Sequence, residues 1–111
     1  MNKDSLYKKS NINRLAEFSK LSPDVFNAFV TFDRKALSEG KLSSKLKELI
    51  AIAVAHTTGC PYCIDIHTKG AKKANATKEE VAESIMVATA LKAGSALAHG
   101  VNALIAFDES I

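Results

Sequence analysis

Cys60-Pro61-Tyr62-Cys63 and His67 are the residues of this 111-residue chain whose types and spacing can carry chemistry. Pro61 cannot continue a preceding helix but suits the first position of a new one, so the motif opens a helix with Cys60 as its N-cap. Both sulfurs then stand in a first turn, where unpaired backbone N–H groups and the positive end of the helix dipole stabilise a thiolate. Cys63 and His67 are four residues apart and share a helix face, so the imidazole can accept the thiol proton or hold the thiolate as its cation. A second thiol one turn away lets oxidation of one sulfur end in a reversible disulfide rather than in overoxidation. The expected chemistry is thiol redox. Cys63, nearest His67, is the expected attacking sulfur and Cys60 the resolving one, although thioredoxin-like logic gives the opposite order and the spacing leaves both open.

Three other readings compete for these residues. Two cysteines near a helix start can be inert core residues, since free cysteine is commonly buried. His56, Cys60, Cys63 and His67 are spaced four, three and four, which on a continuous helix would offer four zinc ligands; Gly59 and Pro61 predict a break that moves His56 off that line, and no metal is expected. His56 and His99 alone read as a helix-terminal and a core histidine. Glu48, within Lys45-Leu46-Lys47-Glu48, reads on spacing as a solvated glutamate beside a lysine. Ile52 and Ala55 follow it on the same helical side, so its carboxylate can equally face inward and need a polar partner. Tyr62 reads as a packing or rim residue and Asp65 as a first-turn acid that favours the dipole.

Helices must position these groups, because no stretch shows the sustained alternation that marks a strand. The expectation is an all-α, single-domain bundle of about six helices, with residues 1–10 a polar tail and 11–111 the helical domain. The first helix covers about Asn11 to Ser19, and the second starts at Ser22 and Pro23 with Phe26, Phe29, Val30 and Leu37 inward. A second apolar strip, Val25, Phe32 and Ala36, hints at a partner subunit. The third runs from Ser43 or Ser44 to about Thr57, apolar all round from Leu49 to Ala55, and ends at Gly59. The fourth spans Pro61 to about Ala74. The fifth opens with Thr77 and Glu80 in capping-box spacing, carries Val81, Ile85, Ala88 and Leu91 inward, and closes at Gly94. The sixth spans Ser95 to Phe107 with Leu97, Val101, Leu104 and Ile105 inward.

Composition bounds the function. The chain is 47% hydrophobic and 24% charged with two prolines and five glycines, a folded profile for one domain. Its net charge of +3 is scattered among acids, which argues against nucleic-acid binding. The N-terminus holds no apolar signal region and the longest strongly apolar run, Leu49 to Ala55, is far below the ~20 residues of a membrane helix, so a soluble, cytoplasmic protein is expected. In such a compartment two cysteines three apart are more often redox or metal-binding than a structural staple.

Glu48, eleven residues, Cys60-Pro61-Tyr62-Cys63, three residues and His67 together resemble the alkylhydroperoxidase D-like branch of the carboxymuconolactone decarboxylase family, and the resemblance extends from about Leu21 to Phe107. It implies an all-helical fold assembled as a homo-oligomer, a trimer or hexamer, with thiol peroxidase activity on a small hydroperoxide and reduction by a dithiol of the dihydrolipoamide type, without a cofactor. It also implies that Glu48 joins His67 in a proton relay serving Cys60 and Cys63. Some family peroxidases carry a histidine just before the second cysteine, where this chain has Tyr62, and the chain matches a single short domain rather than the longer two-part peroxidase. A carboxymuconolactone decarboxylase-type enzyme and a non-enzymatic thiol redox sensor are the other readings.

Overall fold

Ser43 begins the central element of the fold: its hydroxyl accepts from Leu46 N at 3.1 Å and so caps α3, Ser44–Thr58. Gly59 ends it in the left-handed conformation at φ 73°, with Gly59 N and Cys60 N both donating to Ala55 O. A computed structural model of the protein describes residues 8–109. The chain enters as a 3-10 helix, Lys9–Glu17, that tightens into α1, Phe18–Leu21, and is followed by α2, Pro23–Leu37. After α3 come α4, Pro61–Lys73, and α5, Lys78–Asp108. No strand occurs among the described residues.

α3 packs against both α4 and α5 and touches α2. The buried residues are Ile52 and Ala55 of α3, Ala71 of α4 and Ala88 of α5. Among the described residues three of these four are alanines, which lets the helix backbones approach closely around Ile52, the one large side chain there that is fully enclosed. Thr77 and Glu80 form the expected capping box at the start of α5, with bonds of 2.9 and 3.1 Å. Glu80 also accepts from Lys45 Nζ at 2.8 Å, tying the start of α5 to the start of α3.

The all-helical architecture agrees with the sequence reading, but several details are corrected. Lys9 and Ser10, assigned above to a polar tail, belong to the 3-10 helix, and residues 1–7 of that tail lie outside the described residues. The expected first helix is mostly 3-10, in keeping with the poor helix formers Ser10, Asn11 and Asn13 at its start. Ser22 precedes Pro23 without a side-chain capping bond. Phe29, expected inside, is 58% exposed.

The largest correction concerns the last two helices, which are one. Gly94 does not take the left-handed conformation that terminates a helix, and the alanines around it carry the helix through its low intrinsic propensity. Leu91, Leu97, Val101, Leu104 and Ile105, expected inward, are all exposed. The outer half of this 31-residue helix projects past the body, and the radius of gyration is 18.5 Å, against ~13 Å for a closed domain of this length. An 18-residue stretch with mean hydropathy 1.3 makes α5 long and apolar enough to cross a membrane by length and composition.

Candidate active site

Cys60 is the N-cap of α4, and its Sγ accepts from Cys63 N at 3.3 Å, as the Pro61 signature predicts. The two sulfurs stand 2.7 Å apart, close enough to share a proton. Their environments separate them. The hydrogen bond from the Cys63 thiol, followed by the Cys63 backbone N–H, holds the Cys60 thiol below its ordinary range. Cys63 is pushed up to about 11, first by burial, then by the hydrogen bond and negative charge of Cys60, and then by the charge of Asp33. The helix start therefore stabilises a thiolate at Cys60 and not at Cys63, a finer division than the sequence pattern suggested.

Glu48 turns inward. Its Oε2 lies 3.1 Å from His67 Nδ1, with both side chains less than one-fifth exposed. The lysines flanking it are engaged elsewhere, Lys45 with Glu80 and Lys47 with Ser38 O at 2.6 Å. A carboxylate can only accept, so Nδ1 donates and Nε2 is the nitrogen left for proton transfer. Against an ionised carboxylate this contact favours the Nδ1–H tautomer of a neutral imidazole, and the partner lies nineteen residues earlier in the chain.

Cys63 and His67 open onto one groove of ≈ 450 Å³ between α2, α3 and α4. Its walls are largely apolar, from Leu37, Leu42, Ile50 and Val54, with Asp33 and Lys47 as its other charged members. Cys60 does not line this groove and sits at the helix entrance. His56 is apart from the cluster, its Nδ1 2.8 Å from Ile52 O, so the spacing that suggested four metal ligands on one line is not realised. His99 is exposed on α5, its Nδ1 3.0 Å from Ser95 O, and is not a core histidine. Asp65 pairs with Lys9 and Lys69, anchoring the 3-10 helix to α4.

Asp33 was not foreseen. It faces Cys63 from α2, and no local pattern links positions thirty residues apart. The arrangement offers a proton acceptor and a thiol on one apolar surface, a carboxylate fixing the acceptor, and a second sulfur within reach of the first.

The model of the carboxymuconolactone decarboxylase family matches residues 23–106. "Uncharacterized protein 4 in cox locus" of Paracoccus denitrificans is 42% identical over 95 residues, 86% of each chain. An uncharacterized protein of Cupriavidus necator is 31% identical over 97% of this chain and 96% of its own. Among solved structures, a carboxymuconolactone decarboxylase family protein from Legionella pneumophila superposes with a TM-score of 0.71 at 36% identity, covering 90% of this chain and 89% of that one. A protein from Methanobacterium thermoautotrophicum gives 0.70 at 34% identity, over 83% and 99%.

Proposed function

The chain belongs to the carboxymuconolactone decarboxylase family, and on that premise we propose that it is a thiol-dependent peroxidase that cycles through a Cys60–Cys63 disulfide, in the manner of the alkylhydroperoxidase D-like branch. The observation that carries this reading is the pairing of two sulfurs at 2.7 Å with a histidine whose Nδ1 is already held by Glu48.

In the cycle a small hydroperoxide enters the groove and meets Cys63. His67 Nε2 takes the Cys63 proton, which burial otherwise keeps on the sulfur, while Glu48 offsets the charge that forms on the imidazole. The thiolate attacks the distal peroxide oxygen, the O–O bond breaks, and the leaving alkoxide recovers the proton from His67 as an alcohol. Cys63 is now a sulfenic acid. Cys60, already the more acidic thiol, attacks Cys63 Sγ and expels hydroxide, which leaves as water with a proton from the site. The balance is two thiols and one hydroperoxide to one disulfide, one alcohol and one water. A dithiol of the dihydrolipoamide type then attacks Cys60 at the helix entrance and returns both thiols.

The same reading includes a homo-oligomer, a trimer or hexamer, located in the cytoplasm. Val25, Phe29 and Phe32 of α2 and the outer half of α5 present apolar surface that this single chain leaves uncovered, and a second copy is the occupant we assign to it.

The test is consumption of cumene hydroperoxide by purified protein with dihydrolipoamide. Turnover that Cys63→Ser and Cys60→Ser both abolish supports the peroxidase. Disulfide formation on peroxide without turnover under any dithiol would make the protein a redox sensor instead.

A further inference from the structure

α4 carries a glycine in its interior, Gly70, one turn beyond His67. Glycine is the poorest helix former after proline, because its backbone loses the most freedom on ordering. No left-handed backbone explains its presence, since Gly59 is the glycine with positive φ among the described residues. The explanation lies in what fills the space of the missing side chain. A Cβ placed on Gly70 would fall 2.8 Å from Glu48 Cδ and 3.3 Å from Oε1, and closer still to Oε2. Oε2 is the oxygen bound to His67 Nδ1. Gly94 and Gly100, also helical, have nothing within 4 Å of such a Cβ, so this close approach is particular to position 70.

We propose that Gly70 is a positioning residue for the Glu48–His67 pair: its bare Cα forms the seat on α4 into which the Glu48 carboxylate settles, and this sets how Oε2 meets His67 Nδ1. The functional part rests on the reading of Glu48 and His67 as one proton-handling unit, whereas the geometric part does not depend on peroxide chemistry. A carboxylate is the free end of a flexible side chain. A methyl group at position 70 therefore displaces Glu48 rather than the helix, and the loss falls on the bond to His67. Alanine is at the same time the better helix former, so the stability of α4 is held or raised while the pair is broken. These opposite effects separate positioning from packing.

The experiment compares wild type, Gly70→Ala, Glu48→Gln and the double variant Gly70→Ala/Glu48→Asp, using ¹⁵N-labelled histidine at a pH where the imidazole is neutral. In wild type the His67 ¹⁵N shifts report a proton on Nδ1, because its partner only accepts. In Gly70→Ala they move toward the mixed tautomers of an untethered imidazole, as in Glu48→Gln. Hydroperoxide consumption falls on the order of tenfold or more, with unchanged or higher thermal stability. Aspartate is one methylene shorter and clears the added methyl, so the double variant regains part of the Nδ1–H population and of the rate. A Gly70→Ala protein with native tautomer and native rate overturns the proposal. Lower thermal stability with no recovery in the double variant also overturns it and makes Gly70 a packing residue. If wild type consumes no hydroperoxide, the tautomer series still decides the role of Gly70, so the two readings fail separately.

Discussion

Cys60 Sγ lies 2.7 Å from Cys63 Sγ while the backbone N–H of Cys63 is aimed at Cys60, so two neighbouring thiols have unequal hold on their protons. Cys60 is expected to be alkylated at lower pH than Cys63, which resists until the pH approaches about 11. In Cys60→Ala the hydrogen bond and charge of Cys60 are gone but the burial remains, so the Cys63 midpoint falls below about 11. Mass-spectrometric mapping of iodoacetamide labelling against pH reads both. Equal labelling of the two thiols at neutral pH would contradict the asymmetry.

Asp33 adds negative charge opposite Cys63, which disfavours the thiolate. Asp33→Asn should therefore shift the Cys63 titration downward and raise the rate of its alkylation at a fixed alkaline pH. Asp33 is exposed, so the difference should shrink in high salt as the charge is screened. An effect that salt leaves untouched would point to a change of structure rather than of charge.

On the proposed relay, Glu48 and His67 should behave as a unit. His67→Gln is expected to slow hydroperoxide reaction on the order of a hundredfold, the usual scale for losing a general base. Glu48→Gln should lose much of the same activity with the fold intact. The double mutant should be scarcely slower than the worse single one. Additive losses, measured as single-turnover rates, would assign the two residues separate roles.

The exposed half of α5 predicts association. Leu97 and Leu104 are 81% and 68% exposed, and replacing both by lysine should shift sedimentation from an oligomer toward a species of about 12 kDa, the mass of one chain. Wild-type protein that sediments as a single chain in buffer, and enters liposomes through α5 instead, would replace the second copy with lipid as the covering medium.

Gly59 joins α3 to Cys60 through a left-handed residue at φ 73°, with open space around it. Gly59→Ala should therefore cost ~1 kcal/mol through backbone strain alone. Denaturant unfolding would show it as a lower midpoint with an unchanged slope. A cost near zero would mean that the linker relaxes out of the left-handed conformation.

What the sequence determined by itself is local. The N-cap at Cys60 with Pro61 behind it, the stop at Gly59 and the Thr77–Glu80 capping box each depend on groups within a few residues of one another, and each is present in the structure. The placing of His67 on the helix face of Cys63 was also legible, because residues four apart on a helix share a face. Whether Glu48 faced solvent or His67 was not. The flanking lysines allowed either outcome: the packing of α3 on α5 gives Lys45 to Glu80, Lys47 turns to Ser38 O just past α2, and the packing of α3 on α4 brings the Glu48 carboxylate to the imidazole. Asp33 and the close approach at Gly70 are likewise products of packing between helices, invisible to any local window. Gly94 misled for the converse reason. A glycine ends a helix by turning left-handed, and here the helix continues because its alanine-rich neighbours favour it. Amphipathic spacing then marked Leu97, Val101 and Leu104 as buried, but periodicity identifies an apolar face and not what covers it; the chain's own fold does not supply that cover.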